Sequence, residues 1–191
     1  MRLRKSAWLL PLALMVSLPA SADVLDINLN GDAAKISLIR PLPPEGLEAG
    51  GGLLLHKDDG YILDAEMHLV DRPEPGRNAL FLGIGGKLPL ISDDRRNADG
   101  AALAVGGKLR WTLPDYNRAA VAGSVYYAPS VISLFDIDSY QEYSLRGEFQ
   151  ILEDANVYLG YRHIELSYDG DKFGADRKFD DGIYAGFNLN F

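Results

Sequence analysis

The sequence predicts an all-β chain: a transmembrane, antiparallel, up-and-down β-barrel that follows a cleaved export leader. Three observations carry this expectation. Apolar residues recur at every second position in run after run. No stretch beyond the leader approaches the ~20 consecutive apolar residues that a spanning helix needs. Clusters of Asp, Asn, Gly and Pro separate the runs, as turns do between the strands of a meander.

The leader is read from its three parts. Arg2, Arg4 and Lys5 form a basic start, an apolar run extends from Ala7 to about Leu18, and Ala20-Ser21-Ala22 supplies the small residues of a cleavage site at Ala20 and Ala22. The run is too short for a spanning helix and carries Pro11 and Pro19. Residues 1–22 are therefore expected to be a signal peptide and residues 23–191 one barrel domain. Removing the leader takes away three basic and no acidic residues, so the formal charge falls from −8 to −11. That charge argues against a nucleic-acid partner. With 47% hydrophobic and 24% charged residues, the chain is neither disordered nor a helical membrane bundle. The absence of cysteine excludes disulfides, thiolate metal sites, a cysteine nucleophile and a lipidated cysteine. Export without cysteine points to a bacterial cell envelope.

The strands follow in order. Nine segments alternate near 34–40, 47–56, 60–70, 78–88, 100–113, 117–128, 139–152, 156–168 and 180–191. A short first strand at 24–30, joined through Asn30-Gly31-Asp32, brings the number to ten; eight is the alternative if this region pairs only partly. The face opposite the apolar one decides the solvent. In the fifth and sixth of these segments it mixes Ala102, Ala104, Gly106, Ala120 and Ala122 with Lys108, Arg110 and Arg118. A water-facing surface has no reason to choose glycine and alanine, whereas a narrow lumen needs them to make room for long charged neighbours. Apolar residues would then meet lipid and the charges would fill the barrel. Val157, Leu159 and Tyr161 alternate in one phase and Ile164, Leu166 and Tyr168 in the other, which predicts a bulge near Arg162-His163. Tight turns at 113–117 and 153–156 against longer connections at 91–100, 130–139 and 169–181 fit short periplasmic turns and longer outer loops. Trp111 and Tyr116 on one side, and Tyr126, Tyr127, Tyr140 and Tyr168 on the other, suit two interfacial girdles. Phe187, Leu189 and Phe191 at two-residue spacing resemble the terminal signal by which barrels are recognised for assembly.

Gly106-Gly107-Lys108-Leu109-Arg110-Trp111, Tyr126-Tyr127-Ala128-Pro129, Ser139-Tyr140-Gln141-Glu142, Gly160-Tyr161-Arg162 and Asp181-Gly182-Ile183-Tyr184-Ala185-Gly186 together resemble the YfaZ family of small Gram-negative outer-membrane proteins. The resemblance implies an integral outer-membrane barrel and brings no catalytic residues with it.

The lumen is the first candidate site: Glu66, His68, Lys87, Lys108, Arg110, Arg118, Arg146, Glu148 and Arg162 are expected to point inward. In so narrow a barrel a salt-bridged filling is favoured over a cation-lined, porin-like passage, since buried charges must pair. The excess of cations over Glu66 and Glu148 nevertheless leaves weak anion conductance as the alternative. Asp169 to Gly174 with Asp180 partly imitates a calcium loop, but Phe173 and Arg177 stand where oxygen ligands are required, so neither a metal nor another cofactor is expected. No Gly-x-Ser-x-Gly elbow or His-Glu-x-x-His appears, so no catalytic residue is assigned; a lipid-acting enzyme at the rim, using His56 or His163, is the third reading. The leading expectation is a structural or surface-interacting barrel. Its expected partners are outer-membrane lipid and lipopolysaccharide, the barrel-assembly machinery and periplasmic chaperones.

Overall fold

The computed structural model describes residues 23–71, 80–168 and 176–191. These form twelve strands and no α-helix: β1 (Val24–Leu29), β2 (Ala33–Leu42), β3 (Leu47–His56), β4 (Gly60–Asp71), β5 (Leu80–Asp93), β6 (Ala98–Ala102), β7 (Ala104–Leu113), β8 (Tyr116–Ala128), β9 (Ser133–Phe135), β10 (Ile137–Leu152), β11 (Ala155–Tyr168) and β12 (Arg177–Asn190). Ten of them are barrel staves. Each pairs antiparallel with its neighbour, and β1 closes the sheet against β12 from Val24↔Asn190 to Leu29↔Ala185. Closure leaves no unpaired edge among the staves, the condition for placing a sheet in hydrocarbon. The short first strand is a full member of the wall, so ten staves hold and eight do not.

Of the two remaining strands, β9 lies in a segment expected as loop, whereas residues 100–102 of β6 were expected to open the strand at 100–113, which the structure breaks at Leu103. Residues 98–102 turn back on the upper part of β5, and β9 pairs with them through Gly100↔Phe135 to Ala102↔Ser133. They raise the wall at the end distal to the chain termini. Turn lengths sort less cleanly than expected. The distal turn Lys57-Asp58-Asp59 has three residues, whereas the β4–β5 connection on the terminus side has eight, residues 72–79, which lie outside the described residues. Gly60 ends the distal turn at φ +101°, where a Cβ would stand 2.1 Å from the Ser92 carbonyl oxygen. Only glycine fits.

The solvation is inverted. Leu63, Met67, Leu69, Ile84, Val105, Leu109, Leu145 and Leu159 project outward and stay exposed, while the buried side chains of the strands, apart from His163, point into the barrel. Such a belt would be unfavourable in water but costs nothing against acyl chains. Trp111 and Tyr116 lie outward at the terminus side, as expected. At the distal side Tyr127 does so too, joined by Tyr61, Tyr143 and Tyr161, whereas Tyr126, Tyr140 and Tyr168 turn inward and are buried. The girdle expectation is corrected for those three, because each hydroxyl has a polar partner inside.

The phase change on β11 also has a different origin. Its inward positions run unbroken through Tyr158, Arg162, Ile164, Leu166 and Tyr168. The irregularity lies on β12, where Ile164↔Asp180 is followed by Glu165↔Lys178 and Phe179 is the extra residue. The sequence phase shifts because the lumen itself becomes apolar at that height.

Candidate functional site: the lumen

Inward side chains sort by height. Near the distal end, Leu54, Ile62, Ile91, Ile137, Ile164, Leu166 and Phe179 pack with Ala104 and Ala128 into one buried cluster. Above it, Arg177 bridges Asp59 on the distal turn and Asp93 at the end of β5. Tyr168 Oη also donates to Asp93, and the backbone N–H groups of Arg95 and Arg96 donate to Asp93 Oδ1 at 2.9 and 3.1 Å. Arg95 Nε stands 2.7 Å from Asp59. The Arg95 and Arg177 guanidinium groups are thus turned onto acids of their own rim, while that of Arg96 lies over the Tyr168 ring.

Below the apolar cluster lies an ionic layer. Lys87 Nζ donates to Glu142 Oε2 at 2.6 Å, and Tyr140 Oη donates to the same oxygen at 2.5 Å. Asp64 stands 3.8 Å from Lys87, and Lys35 stands 3.6 Å from both Asp64 and Glu142. The layer therefore contains two cations and two carboxylates. Beside it, His68 Nε2 and Tyr126 Oη lie 2.8 Å apart. Gly106 makes room for that tyrosine: a Cβ there would sit 2.6 Å from the Tyr126 ring and 2.0 Å from the Val125 carbonyl oxygen.

A second network crosses the lumen lower down. Arg162 donates from Nε to Asp180 Oδ2 at 2.5 Å and from Nη1 to Asn28 Oδ1 at 2.8 Å. Asn28 donates to Asp26 at 3.1 Å, and Tyr158 Oη donates to Asp26 at 2.6 Å. Arg146 joins Asp26 to Glu148 through two 2.8 Å hydrogen bonds, and Arg110 Nε donates to Glu148 at 2.6 Å. Lys108 lies 2.9 Å from Glu48 and 3.8 Å from Glu66. Below the ionic layer a cavity of about 690 Å³ remains, lined from Lys87 and Glu142 down to Gln150, Glu153 and Asn190 at the terminus end.

Glu66, His68, Lys87, Lys108, Arg110, Arg146, Glu148 and Arg162 all face the lumen as expected. Arg118 does not. It donates to the Gln150 and Ile151 carbonyls at 3.1 and 3.3 Å and lies over the Phe149 ring, so it caps the rim where β8 runs past the end of its pairing with β10. The expected cation excess also disappears. Asp26, Glu48, Asp64, Glu142 and Asp180 supply the missing carboxylates, and the inward parity of Asp64 and Glu142 was the signal that could have found them. Asp180, the twelfth position of the calcium-like segment, serves Arg162 instead; residues 169–175 lie outside the described residues, as do Ala20 and Ala22. Phe187 and Leu189 face outward, and the Phe191 backbone exchanges two hydrogen bonds with Asp23, at 2.7 and 3.0 Å. His163 faces outward beneath Tyr143, with its ring nitrogens 3.2 Å from Glu165 and 3.3 Å from Asp181.

Two carboxylates just outside the strands, Asp23 and Asp32, have shifted acidity. The Arg40 guanidinium hydrogen-bonds the Asp23 carboxylate, and the Lys57 ammonium does the same for Asp32 in the distal turns. Each donor holds its carboxyl below the ordinary carboxylate value.

Comparison with known proteins adds three findings. The profile of a family described as YfaZ precursor matches residues 3–191. A protein of Escherichia coli (strain K12) named Outer membrane protein YfaZ is 30% identical over 176 residues, covering 90% of this chain and 92% of that one. A solved structure reported as "Unveiling the Mechanism Behind the in-meso Crystallization of Membrane Proteins" has 10% identity and a TM-score of 0.46, covering 90% of this chain and 83% of the other.

Proposed function

The chain belongs to the YfaZ family and resides in the bacterial outer membrane, and from that premise we propose a non-enzymatic role as a structural, surface-interacting barrel with a non-conducting lumen. The observation that carries this reading is the filled distal half. An ion needs a continuous polar path, and the packed layer of Leu54, Ile62, Ile91, Ile164, Leu166 and Phe179 interrupts it. The arginine latch above that layer adds a second obstruction. The paired ions below it support the same reading, because a cation bonded to a carboxylate attracts an anion far less than a free one. The non-enzymatic part is supported by the histidines: His68 is tied to Tyr126 inside the wall, and His163 faces carboxylates from both ring nitrogens. In this reading the partners are lipid and lipopolysaccharide around the apolar belt, with chaperones and the assembly machinery acting during biogenesis.

Single-channel recording in planar bilayers tests the proposal. The barrel is expected to give no discrete current steps. Discrete steps whose size changes in Arg110→Ala and Arg146→Ala variants would overturn it.

A further inference from the structure

The cavity below the ionic layer is within the size range of small-molecule sites, on the order of 300–1,000 Å³. Among the described residues it opens at the terminus end, the periplasmic side of an exported barrel, and the apolar cluster packs across its distal end. We infer that this vestibule takes up a neutral, hydroxyl-rich solute, such as a disaccharide, from the periplasm. The inference goes beyond the proposed role and holds whether or not the lumen conducts.

Two features of the wall select that chemistry. The lining contributes six cations and six carboxylates, and every one of those cations has a carboxylate within 4.0 Å, so no cation is free to hold an anionic ligand. Between the ion pairs the lower wall is built of amides (Asn117, Gln150, Asn156, Asn188 and Asn190), groups that donate and accept hydrogen bonds without a net field.

The test uses barrel purified from outer membranes in an amine-oxide detergent, which has no sugar headgroup. Maltose, citrate and spermidine are titrated separately and followed by NMR shifts or calorimetry. Maltose is expected to saturate. Affinity should fall at least tenfold in Ala122→Phe, whose ring would occupy the cavity, and in Asn188→Leu, which removes an amide from the wall. Heat-modifiability on gels verifies that each variant is folded; if Ala122→Phe fails to fold, Asn188→Leu decides. Lack of saturation by maltose, saturation by citrate or spermidine in its place, or unchanged maltose affinity in the folded variants would each overturn the inference.

Discussion

Replacing Lys87 with methionine tests the ionic layer most directly. Lys87 is 3% exposed and shares a buried cluster with Lys35, Asp64 and Glu142, two charges of each sign. Methionine keeps much of the volume but leaves two carboxylates facing one ammonium at 3.6 Å, with Glu142 losing its 2.6 Å bond. Breaking a buried pair by removing one partner costs about 3–5 kcal/mol, and because Lys35 and Tyr140 still attend Glu142 the lower end, about 3 kcal/mol, is expected. The companion variant Lys87→Met/Glu142→Leu leaves Lys35 and Asp64 as a one-to-one pair, so it should regain most of that loss. Urea unfolding in lipid vesicles, followed by the fluorescence of Trp111, measures both. A single variant within 1 kcal/mol of the parent, or a double variant no more stable than the single, would refute the account of the layer as a charge-balanced unit.

Three further outcomes follow from other parts of the barrel. Gly106→Val should lose about 1–3 kcal/mol through overpacking against Tyr126 and the Val125 carbonyl, while Gly147→Ala, with nothing within 4 Å of the added carbon, should be near neutral in the same unfolding assay. Leu145→Arg, at an outward position 60% exposed in mid-strand, should cost about 2–4 kcal/mol in vesicles, which a water-facing leucine would not. For Asp23, the Arg40 hydrogen bond lowers the folded-state pKa below the ordinary value of 3.8, so its contribution to stability is present at neutral pH and is lost as pH falls through the lowered value. The urea midpoint of Asp23→Asn should therefore lie below that of the parent at pH 7 and converge with it in acid; a gap that is constant with pH would count against the linkage.

What could be read from the sequence was set by how uniform each environment is. Every outward position meets the same hydrocarbon, so the alternation of Leu63, Met67 and Leu69, or of Val121 and Val125, announced strand, phase and membrane together. The lumen is not uniform. Near its distal end it is apolar, so Ile164, Leu166 and Tyr168 imitate a lipid-facing phase and suggested a bulge on β11 that the structure places on β12. The inward acids were legible from parity once the strands were known, but their pairing was not: Arg162 finds Asn28 at a separation of 134 residues and Asp180 at 18. Asp180 comes from the neighbouring strand β12, whereas only ring closure brings β1 to its side. Tyr126, Tyr140 and Tyr168 were misplaced for a related reason. A tyrosine near a strand end suits an interface or a buried hydroxyl contact equally well, and the deciding partners, His68, Glu142 and Asp93, come from distant segments.

The proposed obstruction in this barrel is made of side chains rooted in the staves themselves. Barrels blocked by a separate folded segment can be opened by withdrawing that segment. Here no described segment is available to retract, and parting the staves would expose backbone N–H and carbonyl groups to hydrocarbon at several kcal/mol each. If the lumen is closed as proposed, a route through it would have to arise by shortening residues such as Phe179 or Leu166 over evolutionary time, and permeability in such a scaffold would be a heritable trait of the gene more than a state of the molecule.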